Sequence, residues 1–142
     1  MVVVVIIDLL TKHWITSTLK VNQAVEIIPN FFWLTNVQNT GAAWSILRNQ
    51  TWILTIISLL ATVGLFYLYQ TKAKTFWQEL GLALMVAGTF GNLIDRMFLG
   101  AVRDFLSFNI FGYMWPVFNV ADMALVIGVG CIILDMVVNP NA

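Results

Sequence analysis

The chain has 142 residues, of which 60 % are hydrophobic and only 10 % charged, with a formal net charge of zero. Its mean hydropathy of +0.86 is too high for an ordinary soluble fold, and its length is too short for a transporter of two repeated halves. Without a basic run or a nucleic-acid motif it has no electrostatic footprint for DNA or RNA.

The first apolar segment runs from Met1 to about Leu19 and carries Asp8 and Lys12. These two stand one helical turn apart, on one face, and can pair as i, i+4. The segment has no basic n-region and no small-residue cleavage site before Asp8, so it reads as a span rather than a cleavable leader. Residues 20–51 form a long excursion. Within it, Ile27-Ile28-Pro29-Asn30 and the aromatic run Phe31 to Val37 predict short strands with turns, a small sheet on the membrane surface. A second span is expected at 52–69, without charge, and a tight hairpin with Lys72 and Lys74 follows.

A third span is expected at 76–94, with Glu79 at its start and Asp95-Arg96 at its end. Residues 97–119 are rich in Phe, Gly, Tyr and Trp and read as an interfacial loop holding Asp104. A fourth span is expected at 120–138, with Asp122 at its start and Asp135 near its far end. Each segment approaches the roughly 20 residues that a bilayer core needs, and a backbone in lipid must satisfy itself as helix. Gly81, Gly88, Gly91, Gly128 and Gly130 suit close helix–helix approach. Cys131, Met123 and Met136 read as packing or lipid-facing residues, and Glu79 and Asp135 as interfacial ones.

Four spans bring both termini to one side and gather most polar residues on the other. An Asp in such a chain costs about 2.5–3.5 kcal/mol at a helix centre, so each needs a reason. Asp8 with Lys12 reads first as a structural pair. Asn92 and Asn119 read as caps or cross-links. Asp122 reads equally as a first-turn acid favoured by the helix dipole and as a functional one, and Asp104 as a solvated loop acid or its partner. The single histidine, His13, leaves little for a zinc site or a Ser-His-Asp triad, and Cys131 alone forms no intrachain disulfide.

Five blocks then carry a resemblance. They are Asp8-Leu9-Leu10-Thr11-Lys12, Asn39-Thr40-Gly41-Ala42-Ala43, Gly91-Asn92-Leu93-Ile94-Asp95-Arg96, Val102-Arg103-Asp104-Phe105 and Phe118-Asn119-Val120-Ala121-Asp122. In this order and spacing the chain resembles lipoprotein signal peptidase, the bacterial signal peptidase II, an intramembrane aspartyl protease. The resemblance implies one integral membrane domain over 1–142, mainly α, with four transmembrane helices. It also implies a small extracytoplasmic β-cradle at about 22–50 and a periplasmic lid at about 97–119. It implies a catalytic dyad of Asp104 and Asp122 and site-shaping positions at Asn39, Gly41, Asn92, Arg96, Asn119 and Ala121. Asp8, Lys12 and Asp95 match a supporting polar shell.

The implied reaction removes the signal peptide from diacylglyceryl-modified prolipoproteins by cutting before the lipidated cysteine, with no metal or other cofactor. The implied partners are that substrate and membrane lipids, with the enzyme acting as a monomer. The implied place is the bacterial cytoplasmic membrane, with the site on its extracytoplasmic side. Only seven residues precede Asp8, fewer than the resemblance leads one to expect. A small proton- or ion-conducting protein and a non-catalytic assembly subunit are the alternatives. The first expects acids spread through the bilayer's depth, and the second expects Asp104 to be replaceable.

Overall fold

A computed structural model describes residues 1–42 and 46–140. Ala43, the last residue of the Asn39 block, lies outside the described residues, as does part of the expected cradle. The elements run α1 (Val2–Thr18), β1 (Ala24–Ile28), β2 (Phe32–Asn39), α2 (Thr51–Lys72), α3 (Phe76–Leu99), β3 (Val102–Ile110), β4 (Tyr113–Met114) and α4 (Val120–Val138).

Among the described residues, α2, α3 and α4 are long and apolar enough to cross a bilayer. The fourth expected span, α1, is a helix of 17 residues and falls short of that length. Its two charged residues, Asp8 and Lys12, are fully buried, so its polar face turns into the bundle. The α2 helix buries almost nothing besides Leu54, as an apolar helix does when its surroundings are themselves apolar. Thr75 caps α3, its hydroxyl accepting from the Gln78 N–H. That helix continues past the expected boundary at residue 94 to Leu99. It ends on Gly100 at φ 70°, a left-handed position that glycine takes without a Cβ penalty.

Helices α3 and α4 approach closely along their glycines. A Cβ on Gly88 would lie 2.4 Å from the Ala121 carbonyl oxygen, and one on Gly81 would lie 2.8 Å from that of Gly128. Backbone meets backbone there, which only small residues allow. Gly130 faces open space and is not part of this seam. At the far end, buried Asp135 accepts from the Thr75 hydroxyl at 2.5 Å, from Gln78 at 2.6 Å and from Asn139 at 2.8 Å. It cross-links the start of α3 to the end of α4, at the bundle end opposite Asp8, Asp95, Asp104 and Asp122.

The sheet differs from expectation in one important way. Its strands follow the order β1-β2-β3-β4, all antiparallel, so the third connection supplies half of them. What reads as an aromatic loop at 97–119 is the tail of α3 and then mostly strand. The reason is pairing: Phe, Val, Ile and Leu in β3 complete the ladder of β2, from Phe32↔Phe108 to Asn39↔Val102. A register shift in β2 between Leu34 and Val37 lets Thr35 and Asn36 both be buried. Asn36 uses it to donate to the Leu19 carbonyl, tying the sheet to the end of α1.

The seam gives a direct test. Gly88→Ala is expected to destabilise by about 1–3 kcal/mol, because a backbone oxygen cannot step aside. Gly130→Ala, in open space, is expected to gain about 0.5–1 kcal/mol from lower chain entropy. Thermal unfolding in detergent measures both, and equal effects would show that the seam is not tight.

Candidate active site

Asp104 stands on β3, and the pleat aims it away from its neighbour Arg103. Its Oδ2 accepts from Asn39 Nδ2 at 2.9 Å and its Oδ1 from Asn119 Nδ2 at 2.7 Å. It is 3 % exposed, so it is not a solvated loop acid. Asp122 opens α4. Asn119 is the N-cap: its Oδ1 accepts from the Asp122 N–H at 2.9 Å, and the Asp122 carboxylate accepts the Asn119 N–H in return at 3.1 Å. This is a capping box built with Asp at its third position. The remaining Asp122 oxygen accepts from Asn92 Nδ2 at 2.8 Å. The two readings of Asp122, cap and functional acid, therefore coincide on one side chain.

Both acids open into one cavity of about 630 Å³, whose walls include Asn39, Asn92 and Arg96 on the polar side and Trp115, Leu125 and Val126 on the apolar side. Burial, and next the nearby charge of Asp122, push the Asp104 carboxyl up to about 7 against an ordinary value of 3.8.

Behind this pair lies a second layer. The Lys12 ammonium is fully buried and meets Asp8 at 2.7 Å, Asp95 at 3.3 Å and Asn92 Oδ1 at 3.0 Å. Two carboxylates and one amide oxygen thus surround it. Asp8 uses its other oxygen to accept the Ala121 N–H at 2.9 Å, one of the free donors at the start of α4. Gly91 makes room for this carboxylate, since a Cβ there would lie 2.7 Å from Asp8 Oδ2. Asp95 is clamped by Arg103, whose Nε and Nη2 reach it at 3.2 and 2.6 Å and whose N–H donates at 3.0 Å. Arg96 donates to Ser58 Oγ at 3.1 Å and to the Gly41 carbonyl at 3.4 Å, which holds its guanidinium at the cavity wall.

All eleven residues singled out in the sequence therefore fall in one connected region. The structure adds two. Arg103 sits inside a quoted block but is the direct partner of Asp95. Ser58 is one of several hydroxyls in α2, and nothing in the sequence sets it apart from Thr55 or Thr62. Asp8 and Lys12 are more than a local pair, because Lys12 links them to Asp95 and, through Asn92, to Asp122. His13 lies on the exposed face of α1.

Lys12→Met would leave Asp8 and Asp95 short of their shared cation, and the expected loss is about 3–5 kcal/mol of stability. Adding Asp8→Asn should recover part of it. Unfolding of the two single variants and the double variant measures the coupling, and strict additivity would contradict the shared role.

A family model described as signal peptidase (SPase) II matches residues 1–138. The lipoprotein signal peptidase of Staphylococcus haemolyticus (strain JCSC1435) is 42 % identical over 144 residues, covering 99 % of this chain and 90 % of its own. That of Staphylococcus aureus (strain Newman) is 40 % identical over 136 residues, covering 95 % and 83 %. Two solved bacterial membrane enzyme structures, both by the in meso method, superpose closely. The one at 2.3 Å resolution gives a TM-score of 0.90 at 39 % identity, covering 99 % of this chain and 86 % of its own. The one at 1.9 Å gives 0.86 at 40 %, covering 97 % and 90 %. With its site geometry and these likenesses together, the chain belongs to the signal peptidase II family.

Proposed function

We propose that the chain is an aspartic endopeptidase that removes the signal peptide from diacylglyceryl-modified prolipoproteins, with Asp104 and Asp122 as its catalytic pair. The observation that carries this is the pair itself: two carboxylates from different elements, each held by asparagine amides, open into one cavity with a mostly apolar wall.

Charge balance supports a single shared proton. The network holds four acids, Asp8, Asp95, Asp104 and Asp122, and three bases, Lys12, Arg96 and Arg103. One proton on the pair makes the buried set neutral, the state least costly in a low dielectric. The proton belongs to the pair. In the reaction the ionised carboxylate takes a proton from water, and the water oxygen bonds to the scissile carbonyl carbon. The protonated carboxyl gives its proton to the carbonyl oxygen. Collapse of the gem-diol intermediate then breaks the C–N bond: the leaving nitrogen takes a proton from the pair, and one gem-diol hydroxyl gives its proton back to the pair, which regains its single shared proton. Asn39, Asn92 and Asn119 hold the two carboxylates, and Arg96 presents a fixed fork for a peptide carbonyl. Gly41 anchors Arg96 and Ala121 anchors Asp8, both through their backbones.

In this reading α1 is a fourth membrane span, its charges neutralised inside the bundle. The hairpin with Lys72 and Lys74 then lies on the cytoplasmic side of the bacterial inner membrane, and the site faces the extracytoplasmic side, as the family resemblance implies. The substrate's lipid lies against the apolar wall at Leu125 and Val126, which holds the cysteine at the bilayer boundary. The segment at Trp115 and Pro116 acts as a lid that limits bulk water. Every catalytic group comes from one chain, so the monomer is the working unit. An ion-conducting role is not favoured. Four of the acids are gathered in one network, and Asp135 at the other end has its carboxylate committed to three donors. The assembly-subunit alternative is tested below.

Purified protein should cleave a lipidated prolipoprotein, and Asp104→Asn and Asp122→Asn should each abolish turnover with thermal unfolding little changed. Turnover surviving in either variant would refute the pair, and absence of turnover in the purified wild type would favour the assembly-subunit alternative. Loss of activity on adding a chelator would point to metal chemistry.

The pH profile has a definite sign. The folded chain keeps a proton near Asp104 that the unfolded chain has lost above 3.8, so this group takes stability away as pH rises toward about 7. Activity should fall on the alkaline side at about the same pH, as the shared proton leaves. The Asn39 hydrogen bond favours the ionised form of Asp104, so Asn39→Ala should move this limb to higher pH. An unmoved limb would remove Asp104 from the titrating pair.

A further inference from the structure

The two hairpin tips of the sheet form a feature that the reaction does not use. The register Phe32↔Phe108 and the bond from the Asn109 N–H to the Phe31 carbonyl at 2.9 Å bring the β1–β2 and β3–β4 turns side by side. The Phe31 and Phe108 rings meet edge to face at 5.5 Å. Ile27, Ile28 and Phe31 on one tip and Ile110, Phe111 and Met114 on the other are all exposed, and Phe111 entirely so. Phe111 and Gly112 both have positive φ, 51° and 87°. This two-residue turn holds the phenyl ring at the extreme of the hairpin.

Apart from Glu26, charge is missing from this end. No Asp, Glu, Lys or Arg occurs between Glu26 and Arg48, or between Asp104 and Asp122. The Glu26 carboxylate is turned to the Asn30 N–H at 2.6 Å. Pro29 stands in the β1–β2 turn, but the β3–β4 tip has neither charge nor proline, and an apolar tip left in water is an aggregation site. The tips lie six residues along β3 from Asp104, about 20 Å at a strand's rise. If the sheet stood upright on the bundle, they would project that far into water. If it leans along the bilayer, they reach lipid. The sheet is continuous with the membrane-embedded surface: β3 starts three residues after the exposed Phe98 and Leu99 of α3. Tyr113 and Trp115 flank the tips, the two side chains most often found at headgroup level.

We propose that the paired tips at Phe31 and Phe111 form a wedge that inserts into the outer lipid layer and lays the sheet against the membrane beside the bundle. The occupant is the lipid acyl region, bound by burial of apolar area without any charge pairing. The inference rests on the membrane-crossing helices and is independent of the catalytic pair.

The test places a nitrobenzoxadiazole dye at residue 111, as Phe111→Cys in a Cys131→Ala background, in vesicles of phosphatidylcholine. Phe111 touches nothing in the core, so the variant should fold; Phe31→Cys serves as a second site. The expected result is blue-shifted emission, quenching by lipids carrying a nitroxide high on the acyl chain, and iodide quenching severalfold weaker than for the dye on free cysteine. Vesicles of phosphatidylglycerol should give the same quenching. Full iodide access without nitroxide quenching at both sites would overturn the proposal. So would shielding that appears only at high protein density or only after a lipidated peptide is added, which would assign the tips to a second copy or to the substrate. None of these readings needs proteolysis, so a failed catalytic pair would leave the wedge standing and the reverse.

Discussion

The buried ammonium of Lys12 is the interaction on which the rest is arranged. A lone cation in a bundle with so few charged groups would be prohibitively costly, so its three partners are obligatory. Asp8 shares its helix, while Asp95 and Asn92 come from α3. Asp8 then reaches α4 through the Ala121 N–H, and Asp95 reaches β3 through Arg103. Three helices and the sheet are thereby indexed to one nitrogen atom. The pair of aspartates inherits its geometry from that index: Asn92, oriented by Lys12 on one side, presents its amide to Asp122 on the other.

The glycine seam complements this network. Polar bonds fix direction, but they cannot by themselves bring α3 and α4 close enough for Asn92 to reach Asp122. Gly81, Gly88 and Gly128 allow the backbones to approach, and the capping box then fixes where α4 begins. Helix start and reactive carboxylate are set by the same side chains, Asn119 and Asp122. Fold and chemistry are not separable at that point.

Much of this was legible in the sequence, for physical reasons. An acid in an apolar chain is conspicuous, so Asp8, Asp95, Asp104 and Asp122 announce themselves by cost. Helix α2 declares itself by length and apolarity. What stayed hidden depends on pairing at a distance. The strand β3 looks like an aromatic loop because its partner β2 is more than sixty residues away and no local pattern shows the ladder. The cross-link made by Asp135 does not show because its partners, Thr75 and Gln78, are ordinary polar residues at the start of another helix. Arg103 is a plain surface arginine until the strand turns it toward Asp95. Helix α1 turns Asp8 and Lys12 toward its neighbours and not toward lipid, a placement that hydropathy alone does not reveal.

Arg103 and Asp104 are adjacent on β3 and face opposite ways, the first onto Asp95 and the second onto Asn39 and Asn119. A one-residue slip of the strand would exchange their faces. In the direction that puts Asp104 in the place of Arg103, Asp95 would lose its guanidinium and confront a second carboxylate. The order of these two residues therefore opposes that slip by charge as well as by shape, before any substrate arrives.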